Sequence, residues 1–375
     1  MSYKQSYMDF FQKADGYYEA EEKRLYGTKD IVKRLKFLSR ENIILRSYPV
    51  KEPVAVFNPA VFIENDHIYV YARIIIGYYL YISSIAEIVI DKNELFKEGL
   101  FLDKRFNAII KITPDNKYDI NGTEDPRIYF INNKLLMTYC GRSINYYYRK
   151  YGGLQFTAPL TAYSYKDNNQ YAWIKKEVYY LIGDLRGYVI EDRDAFVIKS
   201  CNEYYLFHRP TMIDGKQLLV ISKLPDYNKE NNNVEKKHRE IRIVKVYNPI
   251  EILPPAKFEI KNGWAMPPIM VKDGLFIAFI HGVDREIEAY RLFAVLLRIT
   301  KNEVAVEAVT PTYIMEPRLL PEIMGDRPYT IFPTGLWRLS KDEYLVAYGA
   351  GDHSVGIGLF NINDIYELLE EGRIY

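Results

Sequence analysis

Two carboxylates, a proline and a guanidinium occupy four consecutive positions in Glu124-Asp125-Pro126-Arg127, just after Asn121-Gly122-Thr123. An apolar, strand-like run, Ile128 to Ile131, follows at once. Charge this dense beside a core strand is costly to bury unless it is paired or used. Used, a carboxyl in this place is a candidate for acid–base work. The plainer alternative is a helix N-cap or a salt bridge in a turn. Repetition separates the two, because the surrounding pattern returns five times along the chain.

Each copy reads as a hairpin, with alternating apolar residues around a polar turn. The first runs from Asn58 through the turn Glu64 to His67 and back to Arg73. The second starts at Asp125, turns at Asn132-Asn133-Lys134 and returns to Arg142. The third starts at Arg193-Asp194, turns at Cys201-Asn202-Glu203 and returns to His208-Arg209-Pro210. The fourth starts at Pro267-Pro268, turns at Lys272-Asp273-Gly274 and returns to His281-Gly282-Val283. The fifth starts at Pro333-Thr334, turns at Ser340-Lys341-Asp342 and returns to Gly351-Asp352. The starting positions Pro59, Pro126, Ala195, Pro268 and Thr334 lie 67, 69, 73 and 66 residues apart. A regular period in an all-β chain argues for a repeat architecture, and five such units suit a five-bladed β-propeller. The period exceeds the roughly 40–45 residues of a common blade, and the surplus falls in segments such as 146–153 and 226–239, read as loops. The strand Val355 to Phe360 is expected to share a blade with Ile43 to Tyr48.

The start and the end of a hairpin lie at the same end of its blade. Asn58 with Arg73, Asp125 with Arg142, Arg193 and Asp194 with His208 and Arg209, His281, and Asp352 all occupy such positions. Hairpins oriented alike about one axis would bring these groups to one mouth of the central channel. Caps and turns of merely structural origin have no need of a shared end.

At this point the sequence resembles glycoside hydrolase family 130, the β-mannoside phosphorylases and β-1,2-mannosidases, over roughly Ile44 to Phe360. The resemblance rests on Phe57-Asn58-Pro59, Glu124-Asp125-Pro126-Arg127, Arg193-Asp194-Ala195, His208-Arg209-Pro210, Lys261 followed by Pro267-Pro268-Ile269, His281-Gly282-Val283, Tyr290-Arg291-Leu292, Phe332-Pro333-Thr334-Gly335 and Tyr348 to Asp352. It implies the same five-bladed propeller and an inverting cleavage of a β-mannoside. Asp125 would be the general acid. Arg193, Arg209, Lys261 and His281, with the Tyr290 hydroxyl, would hold inorganic phosphate as co-substrate. Asn58, Arg73, Asp352 and Glu322 would bind the sugar at the cleaved bond. Glu124, Arg127 and Asp194 join that substrate-binding set, with the alternative that Glu124 and Arg127 only pair with each other or with neighbouring blades. His208 reads as structural. Trp264, Trp337 and the tyrosines 146–148 could stack on sugar faces or simply pack. Departures at 262–268 and at Tyr329-Thr330 leave the acceptor sugar open. No cofactor and no metal are implied beyond phosphate and a β-mannoside oligosaccharide. The competing readings are a β-1,2-mannosidase using water, a non-enzymatic sugar-binding propeller, and a five-bladed glycosidase with three carboxylates.

Composition fits this frame. The chain has 375 residues, 48% of them hydrophobic, so a sizeable core is available. Lysine and arginine number 50 against 49 acids, which gives no electrostatic reason to expect nucleic acid or a membrane surface. Two cysteines at no metal spacing, no apolar signal core and no run near the roughly 20 residues of a membrane span point to a cytoplasmic protein. The 35 tyrosines suit strands and sugar contacts alike. Residues 1–45 read as an N-terminal helical extension, with helices expected over 6–25 and 29–38, the second capped by Thr28. Such an extension could cover a propeller face or mediate homo-oligomer contact. Residues 46–375 form the expected propeller catalytic domain.

Overall fold

The computed structural model describes residues 7–97, 101, 104–147, 155–168, 170–183, 185–224 and 240–375. The segment 226–239 lies outside the described residues, as does most of 146–153. The fold is all-β, with short helices between strands.

The N-terminal elements are β1 (Gln12–Lys13), α1 (Tyr17–Lys23), β2 (Lys33–Leu38) and β3 (Ile43–Arg46). The rest falls into five antiparallel units. The first is β4 (Ala55–Glu64), β5 (His67–Ile75), β6 (Ser83–Asp91) and, after α2 (Lys92–Phe96), β7 (Phe106–Ile112), with β3 parallel on β7. The second is β8 (Thr123–Ile131), β9 (Lys134–Arg142), β10 (Thr157–Asp167) and β11 (Gln170–Leu181). The third is β12 (Val189–Ser200), β13 (Glu203–Met212), β14 (Val220–Lys223) and β15 (Arg242–Glu251). A parallel pairing of β11 with β15 joins the second and third units into one sheet, to which β1 adds. The fourth comprises β16 (Glu259–Trp264), β17 (Ile269–Lys272), β18 (Leu275–Asp284), β19 (Tyr290–Ile299) and β20 (Val304–Val309), with β16 and β17 sharing the β18 edge. After α3 (Leu320–Ile323), the fifth is β21 (Ile331–Arg338), β22 (Glu343–Ala350) and β23 (Ser354–Asn361), and β2 completes it. The chain ends in α4 (Ile362–Glu371), whose buried Ile362, Ile365, Leu368 and Leu369 recur at helical spacing.

All five expected hairpins form. Their turns show why the sequence signals are readable. Asn132-Asn133 and Cys201-Asn202 both have positive φ at two successive residues, the twist that a two-residue hairpin needs.

The N-terminus departs from expectation. Only Tyr17–Lys23 is α-helical within 6–25, starting after Gly16 at φ 78°. A Cβ there would lie 2.5 Å from the Val306 carbonyl oxygen, so the approach of this loop to the fourth unit requires glycine. Residues 33–38 are a strand, not a helix. Thr28 does not cap it; its hydroxyl donates to Glu316 at 2.7 Å. The spacing of Ile31, Leu35 and Leu38 suggests a helix, but β23 has a free edge, and β2 satisfies that edge with a ladder. The pairing of Ile43–Tyr48 with the C-terminal strand is likewise corrected: β3 lies on β7, and β2 partners β23.

The first strands of the units contact one another. Thr334 donates to the Pro59 carbonyl at 2.9 Å, the Tyr129 hydroxyl accepts from Val197 N–H at 2.8 Å, and Arg127 donates to the Trp264 carbonyl at 2.9 Å.

Leu38 of β2 is fully buried in the cluster with Leu345, Val355 and Ile357. Leu38→Ala should therefore cost about 2–5 kcal/mol, read as a lower urea midpoint at an unchanged m-value. A midpoint within error of the parent would show that this strand adds little to the fold.

Candidate active site

One backbone device builds the site. In β4, β8 and β12 the pairing register shifts between Phe57 and Ala60, between Glu124 and Arg127, and between Arg193 and Phe196. Within each shift one residue takes a left-handed conformation: Asn58 at φ 45°, Asp125 at 52° and Asp194 at 53°. A bulge re-aims a side chain out of the sheet's alternation. Asn and Asp tolerate this conformation best among residues with a Cβ. The residue after each bulge is Pro59, Pro126 or Ala195; proline has no N–H to lose from the ladder. Asp352, after β22, is also left-handed, at φ 51°.

The three bulges meet. Asp125 accepts hydrogen bonds from Asn58 Nδ2 at 2.8 Å, Arg73 Nη1 at 3.1 Å and Arg193 Nη2 at 3.1 Å. Glu124 faces Arg73 at 3.1 Å, accepts from Arg142 Nε at 3.0 Å and Arg193 Nη2 at 2.7 Å, and takes the Tyr146 hydroxyl at 2.5 Å. Burial pushes the Glu124 carboxyl up, but the three guanidiniums outweigh it and hold it well below the usual carboxylate range. Asp194 is the second hub. It accepts from Arg209 Nε at 2.5 Å and Arg127 Nη2 at 3.3 Å, with His281 Nε2 at 3.8 Å. Burial opposes its charge too, yet the Arg209 guanidinium first, with Arg127 and Arg193 behind it, holds it low. Arg127 also donates to the carbonyls of Asp125, Trp264 and Ala265, so it locks the bulge to the fourth unit.

A third group stands beside these. Lys261 Nζ lies 5.3 Å and the Arg327 guanidinium carbon 4.4 Å from the centre of the Tyr290 ring. Tyr290 stacks on His281, with ring centres 5.6 Å apart. Burial and the neighbouring Arg209 and Arg327 pull the Lys261 ammonium down to about 8. Burial also lowers His281, to about 3, against the pull of Asp194. His281 is thus a neutral imidazole at physiological pH, not one of the cations. Its Nδ1 is buried and has no hydrogen-bond partner. A Cβ on Gly263 would sit 2.6 Å from this ring, so glycine is required for the approach. Asp352 is raised by burial, with Arg73 opposing and Asp125 adding to the effect.

The structure therefore gathers Asn58, Arg73, Glu124, Asp125, Arg127, Arg193, Asp194, Arg209, Lys261, His281, Tyr290 and Asp352. Glu322 is spent elsewhere: its oxygens accept from Arg34, the Tyr348 hydroxyl and the N–H groups of Arg318 and Leu319. Trp264 is core, donating to the His208 and Val220 carbonyls. Trp337 packs on Phe62 and Phe130. His208 is held between Asp192 and the Ser222 hydroxyl, as a structural histidine would be. Tyr148 lies outside the described residues. Among the described residues no group of three or more His, Cys, Asp or Glu is placed to hold a metal.

Sequence reasoning leaves out Arg327; it gives Arg142 only a place at a converging hairpin end, and Tyr146 only a choice between stacking on sugar and packing, where the structure has it donate to Glu124. Arg142 closes the second hairpin, and that position is the signal for it. The Arg142 guanidinium lies 3.6 Å from the Tyr146 ring centre. Arg327 comes from a connecting segment with no repeat to mark it.

Removing the hub charge tests this arrangement. Glu124→Gln leaves three buried guanidiniums short of an anion, and should destabilise the fold by about 3–5 kcal/mol, measured by urea unfolding. A loss below about 1 kcal/mol would mean that the arginines find other partners.

Comparison with known proteins gives the family. Residues 22–371 match the family model described as beta-1,4-mannooligosaccharide phosphorylase. A 1,2-beta-oligomannan phosphorylase of Thermoanaerobacter sp. (strain X514) is 26% identical over 341 residues, 88% of this chain and 99% of that protein. A beta-1,2-mannobiose phosphorylase of the same strain is 38% identical over 99 residues, 26% of this chain and 32% of that one. The solved beta-1,2-mannobiose phosphorylase from Listeria innocua, in complex with beta-1,2-mannobiose, superposes with a TM-score of 0.63 at 17% identity, covering 91% of this chain and 97% of that one. The chain belongs to glycoside hydrolase family 130.

Proposed function

We propose that the chain is an inverting β-mannoside phosphorylase. It cleaves a β-mannosyl linkage with inorganic phosphate, giving α-mannose 1-phosphate and an acceptor sugar. The observation that carries this reading is the state of the two carboxylates that lie among the cations beside Asp125. Glu124 and Asp194 are both locked by guanidiniums and held low, which unfits them to take a proton from water. A nucleophile that is already an anion needs no base. Arg193, Arg209 and Lys261 offer charge to such an anion, and Tyr290 and neutral His281 offer hydrogen bonds.

Asp125 is the general acid in this scheme. Two guanidiniums and an amide donate to it. An arriving phosphate competes for Arg193 and adds negative charge beside the carboxyl. The leaving oxygen takes its proton from Asp125. Attack from the opposite face of the sugar then inverts the anomeric centre. Asn58, Arg73 and Asp352 hold the sugar hydroxyls. The relatives' names support mannose as the glycosyl unit.

The architecture we propose is a five-bladed β-propeller, each antiparallel unit a blade and the first strands innermost. The contacts between first strands support it, and so does β2 completing the last unit. Residues 46–375 would be the catalytic domain, joined by β2 from the N-terminal extension. Both cysteines are free thiols, in keeping with a cytoplasmic location. No described helix is long and apolar enough to cross a membrane.

Two experiments test the reading. Asp125→Asn keeps a residue that tolerates the left-handed backbone, so the fold should survive. Turnover on an unactivated β-1,2-mannobiose with phosphate should fall at least about 100-fold, with mannose 1-phosphate as the wild-type product. Full-rate release of free mannose in phosphate-free buffer would overturn phosphorolysis. The second test is pH. Lys261 binds an anion as the ammonium, so the KM for phosphate should rise as pH passes upward through about 8. Lys261→Arg, charged throughout this range, should abolish that rise; a rise unchanged in the variant would remove Lys261 from the anion site.

A further inference from the structure

Four features of the Tyr290 corner lack an explanation in the protein alone. Lys261 and Arg327 both approach one aromatic ring, close enough that Arg327 helps depress the lysine ammonium. Neither has a salt-bridge partner among the described residues. The hub carboxylate Asp194 is already taken by Arg209 and Arg127. His281, 2% exposed, has a buried ring nitrogen with no partner. Two unpaired like charges beside an unsatisfied donor–acceptor ring describe a place that an anion completes.

Arg327 is also held in position by its own segment. The Tyr81 hydroxyl, from the first unit, donates to Asp326 at 2.9 Å. The Arg327 N–H donates to the Gly351 carbonyl at 3.1 Å, and the Tyr329 carbonyl accepts from Tyr290 N–H at 3.0 Å. A Cβ on Gly325 would lie 2.3 Å from the Gly351 oxygen, so this tight approach requires glycine. The backbone is thus tied to the strand bearing Tyr290 and to the loop bearing Asp352. The side chain remains exposed toward solvent, where an entering anion would meet it.

Resting on the phosphorylase reading, we infer that Arg327 is a further phosphate-binding residue, acting with Lys261 at the Tyr290 ring. It enters from the connection before β21, outside the hairpin ends that supply Arg193 and Arg209. Its role is specific to the anion: it contributes to phosphate affinity and not to sugar binding or to the acid.

The test uses the full chain and inorganic phosphate. Phosphate binding is measured by calorimetry without sugar, and KM values for phosphate and β-1,2-mannobiose are measured separately. Arg327→Met keeps the stem and removes the charge. It should weaken phosphate binding and raise the phosphate KM roughly 10-fold or more. The disaccharide KM and kcat at saturating phosphate should stay within about threefold. Arg327→Lys should recover part of the loss. Unchanged phosphate binding in Arg327→Met, with a wild type that binds phosphate, overturns the inference and leaves the phosphorylase reading intact. A wild type that binds no phosphate and releases mannose with water overturns the reading itself, and this inference with it.

Discussion

The site depends on buried charge that balances only as a set. Moving one carboxylate out of water costs several kcal/mol. One guanidinium about 4 Å away returns roughly 4 kcal/mol at the effective dielectric of such positions. A single pair would break even at best. Glu124 has three guanidiniums, and a phenol besides. They come from three units: Arg73 from the first, Arg142 from its own, Arg193 from the third. The pairing that keeps Glu124 ionised is therefore also what fixes the ends of three hairpins relative to one another. Asp125 inherits its position from that lattice, since Arg73 and Arg193 each reach both carboxylates.

The repeated bulge explains why these residues and no others are available. In a regular strand the side chain at Asp125 would alternate into a sheet face and meet the apolar packing between units. A left-handed residue breaks the alternation at a cost of about 1–3 kcal/mol. The cost recurs at Asn58, Asp125 and Asp194, at equivalent points of three units. Strain repeated in register and spent each time on a polar side chain is better explained by a site than by packing. The units differ in what they present: an amide donor, a carboxyl, and a carboxylate that organises cations. One backbone solution thus supports three chemical tasks.

Much of this is legible in the amino-acid sequence. Turn asparagines and alternation define the hairpins, because both are local. The convergence of hairpin ends follows from the period, and it brings Asn58, Arg73, Asp125, Arg193 and Arg209 together as the structure does. What the sequence hides is non-local. Lys33–Leu38 carries a helical spacing, and only the unpaired edge of β23, more than 300 residues away, makes it a strand. Glu322 looks like a sugar ligand, but Arg34 of that same strand claims it. A strand mistaken for a helix therefore conceals the partner that explains the glutamate. Arg327 is invisible because connecting segments carry no period. The neutrality of His281 does not follow from its residue type, since it comes from burial among Arg209 and Lys261.

The position of Arg193 links the two halves of the reaction. It bonds Asp125 and Glu124 while its register partner across the strand pair is Arg209, which belongs to Asp194. Two like charges directly opposite one another are unfavourable unless each is neutralised from its own side. An anion entering between them relieves that repulsion but draws Arg193 away from Asp125. On the phosphorylase reading, the anion and the acid then share one guanidinium. Linkage makes any coupling through that guanidinium reciprocal, so a change at Asp125 is felt in phosphate affinity. Water, carrying no charge, cannot make that exchange, so the same geometry that favours phosphate also disfavours hydrolysis.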